Sequence, residues 1–308
     1  MSALGVLHEV GTSVSLRDER TGVDLVRYVY APDSPLLESP KPFLHPIRTR
    51  AGHLVSLFRP HDHVWHKGIA WALPVVGDEN FWGGPTYVHG QSYVQLPNNG
   101  AQRHHGDVLI TRTADAVLIG HELDWVTQSN ETLFTEERTV SARIVSDDAW
   151  ALTFESRMTN VTTVACPIGS PTTRGRENAG YGGLFWRGPR SFTGGTLIAP
   201  GGTGSGDDMR GRRFEWMAFA GRHDEGDASS LVLILDDTSN PHHPPQWFAR
   251  SEEFAALNPA PFFSEELVIA PGESRVFRYG IGIADHDGAR ATSLADDLRA
   301  VLKESRKP

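Results

Sequence analysis

The sequence predicts an all-β protein: a large antiparallel β-sandwich carrying one short C-terminal helix. Three observations predict it. Apolar residues alternate with period two along most of the chain, Pro/Gly turn signals separate the alternating runs, and only one segment, near the C-terminus, has helical periodicity.

The elements follow in order. "VSLRDERTGVDLVRYVY" reads as a strand pair turning at Thr21-Gly22. "AWALTFESRMTN" places Trp150, Leu152, Phe154 and Met158 on one side and Thr153, Glu155 and Arg157 on the other, a half-buried strand. "RRFEWMAFAG" repeats the alternation, with Phe214, Trp216 and Ala218 facing one way. "SSLVLILDD" is a continuous apolar run with acidic ends, which predicts a strand buried on both faces. "ELVIAPGESRVFRYGIGIAD" reads as a hairpin turning at Pro271-Gly272. The helix is expected over 293–306. Ser293 would cap it, Leu294, Leu298, Val301 and Leu302 make one apolar stripe, and its charges complement the helix dipole. With no linker and no repeat, the 308 residues read as a single β-sandwich domain. The Gly-rich "APGGTGSGDDMRG" lacks the spacing of a phosphate loop and reads as a hairpin loop.

Composition narrows the partners. Apolar content is 39%, charged content 22% and formal charge −9, with basic residues dispersed. No basic stripe exists to meet a phosphate backbone, so nucleic acid is not an expected partner. No window approaches a membrane span, so a membrane is not expected either. The only cysteine, Cys166, sits in apolar "VACPIG" and reads as a small core residue. A lone cysteine, and an N-terminus without a signal-peptide pattern, suggest the cytoplasm.

Histidine is unevenly placed. Of fourteen, nine lie between His45 and His121: His45, His53, His61, His63, His66, His89, His104, His105 and His121. "FRPHDHVWHKGIAW" concentrates three of them with Asp62, Lys67, Trp65 and Trp71. In a strand His61 and His63 share a face, while His63 and His66 need a turn or bulge at Val64-Trp65 to do so. Imidazoles in this density suit acid/base work, contacts to hydroxyls, or a metal. The spacing matches no closed zinc pattern, so no metal is expected. A second constellation, "DDTSNPHHPPQWFAR", holds Asn240, His242, His243, Trp247 and Arg250 on a proline-stiffened loop. "NAGYGGLFWRG" adds Tyr181, Trp186 and Arg187, and "TEERTV" adds Glu136, Glu137 and Arg138. No G-x-S-x-G elbow is present.

The ordered motifs "KPFLHPIRTRAG", "RPHDHVWHKGIAW", "NFWGG", "EERTV", "YGGLFWR", "SNPHHPPQWFAR" and "LNPAPFF" resemble those of a bacterial family labelled "methane oxygenase PmoA" and treated as a domain of unknown function, over about 40–283. The family's central motif reads D-H-P-H-H-R-G. Here it is Asp62-His63-Val64-Trp65-His66-Lys67-Gly68. His63, His66 and Gly68 match; Trp65 and Lys67 depart, so the middle histidine is missing and a metal site that needs it is weakened. Methane oxidation, which the label implies, belongs to a bundle of membrane helices and is rejected for this chain. The all-β pattern is similar instead to the supersandwiches of carbohydrate-active proteins, the galactose-mutarotase or aldose-epimerase type, by fold-level analogy.

The resulting expectation is a carbohydrate-active enzyme of epimerase, lyase or glycoside-cleaving type, acting on a small-molecule sugar or glycoside without a cofactor. His63, His66, His243 and Glu137 are the catalytic candidates. His45, His61, Trp65, Lys67, Tyr181, Arg187, Asn240, Trp247 and Arg250 are the substrate-binding candidates, with Trp65 and Trp247 as the stacking face. The two His-rich segments are expected to converge on one pocket. The alternatives are a non-catalytic sugar-binding or partner protein, and a metal-dependent lyase or oxygenase.

Overall fold

The computed structural model describes residues 3–224 and 226–305. Among these, strands build two large antiparallel sheets packed face to face. The eight-stranded sheet runs, edge to edge, Leu4–Glu9, Ser13–Asp18, Asp24–Val29, Phe43–Ile47, Ile69–Ala72, Gly183–Arg187, Ala256–Ala260, Gln246–Arg250. The nine-stranded sheet has Ser229–Asp236, Ser274–Ala284 and Ala149–Asn160 at its centre. Alternation sends one side of each strand into the gap between the sheets. Trp71, Leu184, Trp186, Trp247 and Leu257 from the first sheet meet Val140, Leu152, Phe154 and Ile281 from the second.

The outer face of the nine-stranded sheet is covered by the helix Ala291–Ser305. Its Leu294, Leu298 and Leu302 pack on Trp216, Ala218, Leu231, Leu233 and Leu235, which explains why "SSLVLILDD" is apolar on both faces. Gly280 and Gly282 permit the approach: a Cβ on Gly282 would stand 2.9 Å from Leu294. The helix begins two residues before the expected 293. Ser293 lies inside its first turn and bonds back to the Arg290 carbonyl rather than capping. The expected last residue, 306, lies outside the described residues.

Other local expectations are corrected. Leu267–Ile269 and Ser274–Ala284 flank a turn at Gly272, but they do not pair with each other. Leu267–Ile269 joins Cys166–Gly169 in a small three-stranded sheet, while Ser274–Ala284 pairs with Ala149–Asn160 along its length and with Ser229–Asp236 over Tyr279–Ala284. Phe214 precedes the strand Trp216–Arg222 and packs toward the inter-sheet core, not beside Trp216 and Ala218. The Gly-rich hairpin Thr196–Ala199/Gly202–Gly204 is followed by a one-turn helix, Gly206–Met209, closed by a Ser205–Asp208 capping box. The strand pair Ser13–Asp18/Asp24–Val29 forms as read, with Gly22 at φ 75° in its turn. No helix among the described residues is long and apolar enough to cross a membrane.

Candidate functional site

Among the described residues no long helix covers the outer face of the eight-stranded sheet, and this face carries rings. The strand Gly183–Arg187 puts Leu184 and Trp186 into the core, so Phe185 and Arg187 point outward; Gln246–Arg250 buries Trp247 and Ala249 and turns Phe248 and Arg250 outward. The segment 59–67 lies over this face as consecutive tight turns, with the His63 amide bonded to Pro60 O and the His66 amide to His63 O. These turns supply the bend that brings His63 and His66 together, ring on ring at 4.8 Å and 12°. Arg59 and Lys67 anchor the segment at its ends by pairing with Glu38.

Between this segment and the sheet lies a cavity of about 320 Å³. His63, Trp65 and His66 form one wall, with Trp82, Gly83 and Pro85 beside them. Tyr181, Phe185 and Phe248 rise from the sheet, Arg250 and Glu253 line the cavity further, and Phe254 packs beside His63 at 5.6 Å between ring centres. Tyr93 and Arg176 complete the rim; the Tyr93 and Tyr181 hydroxyls bond at 2.9 Å and Arg176 donates to Tyr93. The glycine pair of "NFWGG" is a close approach. Gly83 and Gly84 have φ of 104° and 69°, and a Cβ on Gly84 would stand 2.7 Å from the Trp65 ring.

The polar groups are arranged around His63. Its Nδ1 lies 3.0 Å from Asp62 Oδ2, and Asp62 also meets Arg190 at 3.0 Å and Arg187 at 3.7 Å. Burial would raise the Asp62 carboxyl; the hydrogen bond from His63, a backbone amide and the Arg187 charge outweigh it and hold the group at about 2. Asp62 is therefore an ionised acceptor, which makes Nδ1 of His63 the donor and leaves Nε2 with the lone pair when the ring is neutral. His66 is 4% exposed and set among Trp82, Phe185 and Phe254. Burial, then the neighbouring His63 and Arg187, push its pKa well down, so it is a neutral imidazole with an unpartnered Nδ1. Burial also lowers Arg187 to about 10, still a cation near neutrality, and raises the Tyr181 hydroxyl well above its usual value.

Of the candidates read from sequence, His63, His66, Trp65, Tyr181 and Arg250 line the cavity, and Arg187 lies against its wall under Phe254. His61 bonds Arg190 at the outer rim. The rest lie elsewhere. Lys67 turns away from His66, as strand-like neighbours do, into a buried pair with Glu38 at 2.8 Å. His45 bonds Ser56 and stacks on Phe58, and burial lowers it to about 4. Glu137 is exposed on the nine-stranded sheet, loosely opposite Arg157, while Glu136 and Arg138 pair in the interior. His243 pairs with Asp236, and Asn240 bonds Asp236 and the Arg278 backbone, so both hold a loop at the end of the Ser229–Asp236 strand. Trp247 is fully buried and donates to Phe214 O, so it belongs to the core and offers no stacking face.

Asp62, Trp82, Tyr93, Arg176, Phe185, Phe248, Glu253 and Phe254 were not among the sequence candidates. For Phe248 the signal was present: it shares a strand face with Arg250, two residues on, whereas Trp247 is three residues away. For Arg176, on a loop, and Tyr93, on the short strand Ser92–Val94, both remote in sequence, none was. Among the described residues no three His, Cys, Asp or Glu side chains gather to hold a metal ion.

A family model matches residues 15–296, so the chain belongs to DUF6807, a family of unknown function. The match is wider than the 40–283 of the motif resemblance and carries no methane-oxygenase label. No curated protein matches the chain. Among solved structures, a "putative aldose 1-epimerase" from Klebsiella pneumoniae is similar at 12% identity and TM-score 0.43, over 96% of this chain and 83% of that one. The Slr1438 protein from Synechocystis gives 12% and 0.41, over 93% and 97%. A GalM/aldose epimerase homologue from C. elegans gives 8% and 0.34, over 92% and 99%. At these values the likenesses are distant and say nothing of this chain's chemistry.

Proposed function

We propose that the cavity on the eight-stranded sheet is a sugar site and that the protein is a carbohydrate-active enzyme moving a proton through His63. One observation carries the reading: the Asp62–His63 pair borders a cavity walled by aromatic rings and a buried neutral histidine. Rings suit the C–H face of a pyranose, and Arg and His suit its hydroxyls. An ionised Asp62 orients His63 and stabilises the imidazolium formed when His63 takes a proton from a carbon or hydroxyl. His66 contributes a neutral donor or acceptor to the bound hydroxyls. Epimerisation, elimination and glycoside cleavage all begin or end with such a transfer. A binding module without chemistry is the second reading. It is favoured by the carboxylates at the cavity, Asp62 and Glu253, both being paired, which leaves no free carboxylic acid as a second proton donor.

The test is solvent exchange. Sugars incubated with the protein in deuterium oxide are followed by NMR for label at carbon and for anomer exchange, beside calorimetric titration of the same panel. Wild type is expected to bind and to turn over, and His63→Ala to bind without turnover. Binding with no turnover by wild type on any sugar or glycoside would leave the module reading; no binding at all would remove the sugar.

A further inference from the structure

Resting on the sugar reading above, we infer that the ligand is a sugar acid, with its carboxylate held by Arg187 and Arg250. Arg187 is 1% exposed, and its Nε and Nη1 are buried without a hydrogen-bond partner. Its Nη2 stands 3.7 Å from Asp62, an ion pair too long for a hydrogen bond. A guanidinium sealed from solvent with its donors unfilled is costly unless an acceptor arrives. The unpartnered Nδ1 of His66 belongs to the same patch. One ring, Phe254, covers both side chains, 3.6 Å from the Arg187 guanidinium and 6.0 Å between ring centres from His66. Phe254 itself lines the cavity, between the bends that join Gln246–Arg250 to Ala256–Ala260, so the orphaned donors lie one side chain below the cavity surface.

The charge around the cavity agrees. Arg176 and Arg250 line the cavity against Glu253, and Arg187 and Arg190 stand beside it around Asp62, in a chain of formal charge −9. A locally cationic pocket on an anionic protein concentrates anions and disfavours cations. A neutral sugar would leave Arg187 unanswered, because hydroxyls already find partners in the histidines and tyrosines of the wall. A carboxylate supplies two oxygens at the spacing a guanidinium presents.

The experiment is isothermal titration of the full chain with matched ligands: galacturonate against galacturonamide, glucuronate against glucuronamide, galactose and glucose, and their 6-phosphates. At least one uronate is expected to bind about tenfold or more tighter than its own amide, the scale of a charge-assisted contact. In Arg187→Gln and Arg250→Gln that ratio is expected to fall toward one, because the acid loses more affinity than the amide. If Arg187→Gln fails to fold by circular dichroism, Arg250→Gln decides alone. Amide and acid binding equally would overturn the carboxylate and leave the sugar reading standing. A 6-phosphate binding tighter than either uronate, or a ratio unchanged in the folded variants, would also overturn it. No binding by any ligand of the panel would bring down the sugar reading as well.

Discussion

Asp62 and His63 form a hydrogen-bonded pair 3.0 Å long, with both side chains about one-third exposed; Asp236 and His243 form another at 2.7 Å, with the carboxylate 1% exposed. The chemistry of the two pairs is the same and their surroundings are opposite. Beside Asp62 stand two arginines and a cavity, and its carboxyl is held at about 2. Around Asp236 the neighbours are Asn240 and the strand end, and burial raises its carboxyl. There the hydrogen bonds are consumed in fixing a loop: Asn240 bridges Asp236 to the Arg278 backbone and Asp237 holds Ser239. Of the two pairs, Asp62–His63 is the one whose histidine lines the ring-walled cavity.

The largest expected effect separates the pairs by activity. His63→Ala should reduce turnover by about 10²–10⁴-fold, the usual contribution of a positioned acid or base. His243→Ala should leave the turnover number unchanged at a temperature where the variant is folded. Equal losses in both variants would erase the distinction, as would none in either.

The two tryptophans beside these pairs extend the contrast to stability. Trp247 is 0% exposed, so Trp247→Ala should destabilise the protein by about 3–5 kcal/mol in urea unfolding, as large-to-small core changes do. Trp65 is half-buried on the cavity wall. Trp65→Ala should instead weaken sugar binding by about 1 kcal/mol, the size of an aromatic contact, with a much smaller change in unfolding. If Trp65 proved the more costly of the two in unfolding, the division into wall and core would be wrong. A third substitution sharpens the wall. Gly84→Ala places a Cβ against Trp65 at a φ of 69°, which should cost about 1–2 kcal/mol and lower sugar affinity with it. Gly90→Ala, at a φ of 78° with nothing near its Cβ, controls for the backbone strain alone.

The pair of tryptophans also shows what the sequence could tell. The alternation of "AWALTFESRMTN" is reproduced residue for residue in Ala149–Asn160, because a strand at the centre of a sandwich has no choice of face. In "LFWR" and "QWFAR", two adjacent rings on a strand must part. The larger ring, Trp186 or Trp247, fills the inter-sheet core, and Phe185 or Phe248 faces the cavity. Trp247, expected as part of the stacking face, stands three residues from Arg250 and so on the other side of the strand, whereas Phe248 shares Arg250's side. Lys67 leaves the cavity because its ammonium is drawn into the buried pair with Glu38, a partner remote in sequence. Loops set the remainder. Only the turns of segment 59–67 bring His63 onto His66, and no local pattern specifies how a loop lies over a sheet.

The smallest expected effect is a pH dependence of stability, opposite in sign at the two pairs. The hydrogen bond to Asp236 raises His243 above its usual pKa of about 6.5, against the opposing influence of burial. A raised histidine stabilises the fold fully below its unfolded pKa, and that stability is lost as pH rises through the folded value. The window therefore opens near pH 6.5 and extends upward. In urea unfolding at a series of pH values, the stability advantage of wild type over His243→Gln should be greatest near pH 6 and shrink toward pH 8.5. The change should be about 1 kcal/mol or less, one charge-assisted hydrogen bond against a neutral one. Asp236→Asn removes the charge that holds the proton and should flatten the difference. Asp62 tests the opposite sign. Its lowered carboxyl contributes stability present above about pH 4, the ordinary value, and lost as pH falls toward 2. Asp62→Asn should therefore differ from wild type less at pH 2 than at pH 6. A wild-type advantage over His243→Gln that grew with pH would mean that Asp236 is protonated beside a neutral His243, and the contrast between the two pairs would have to be redrawn.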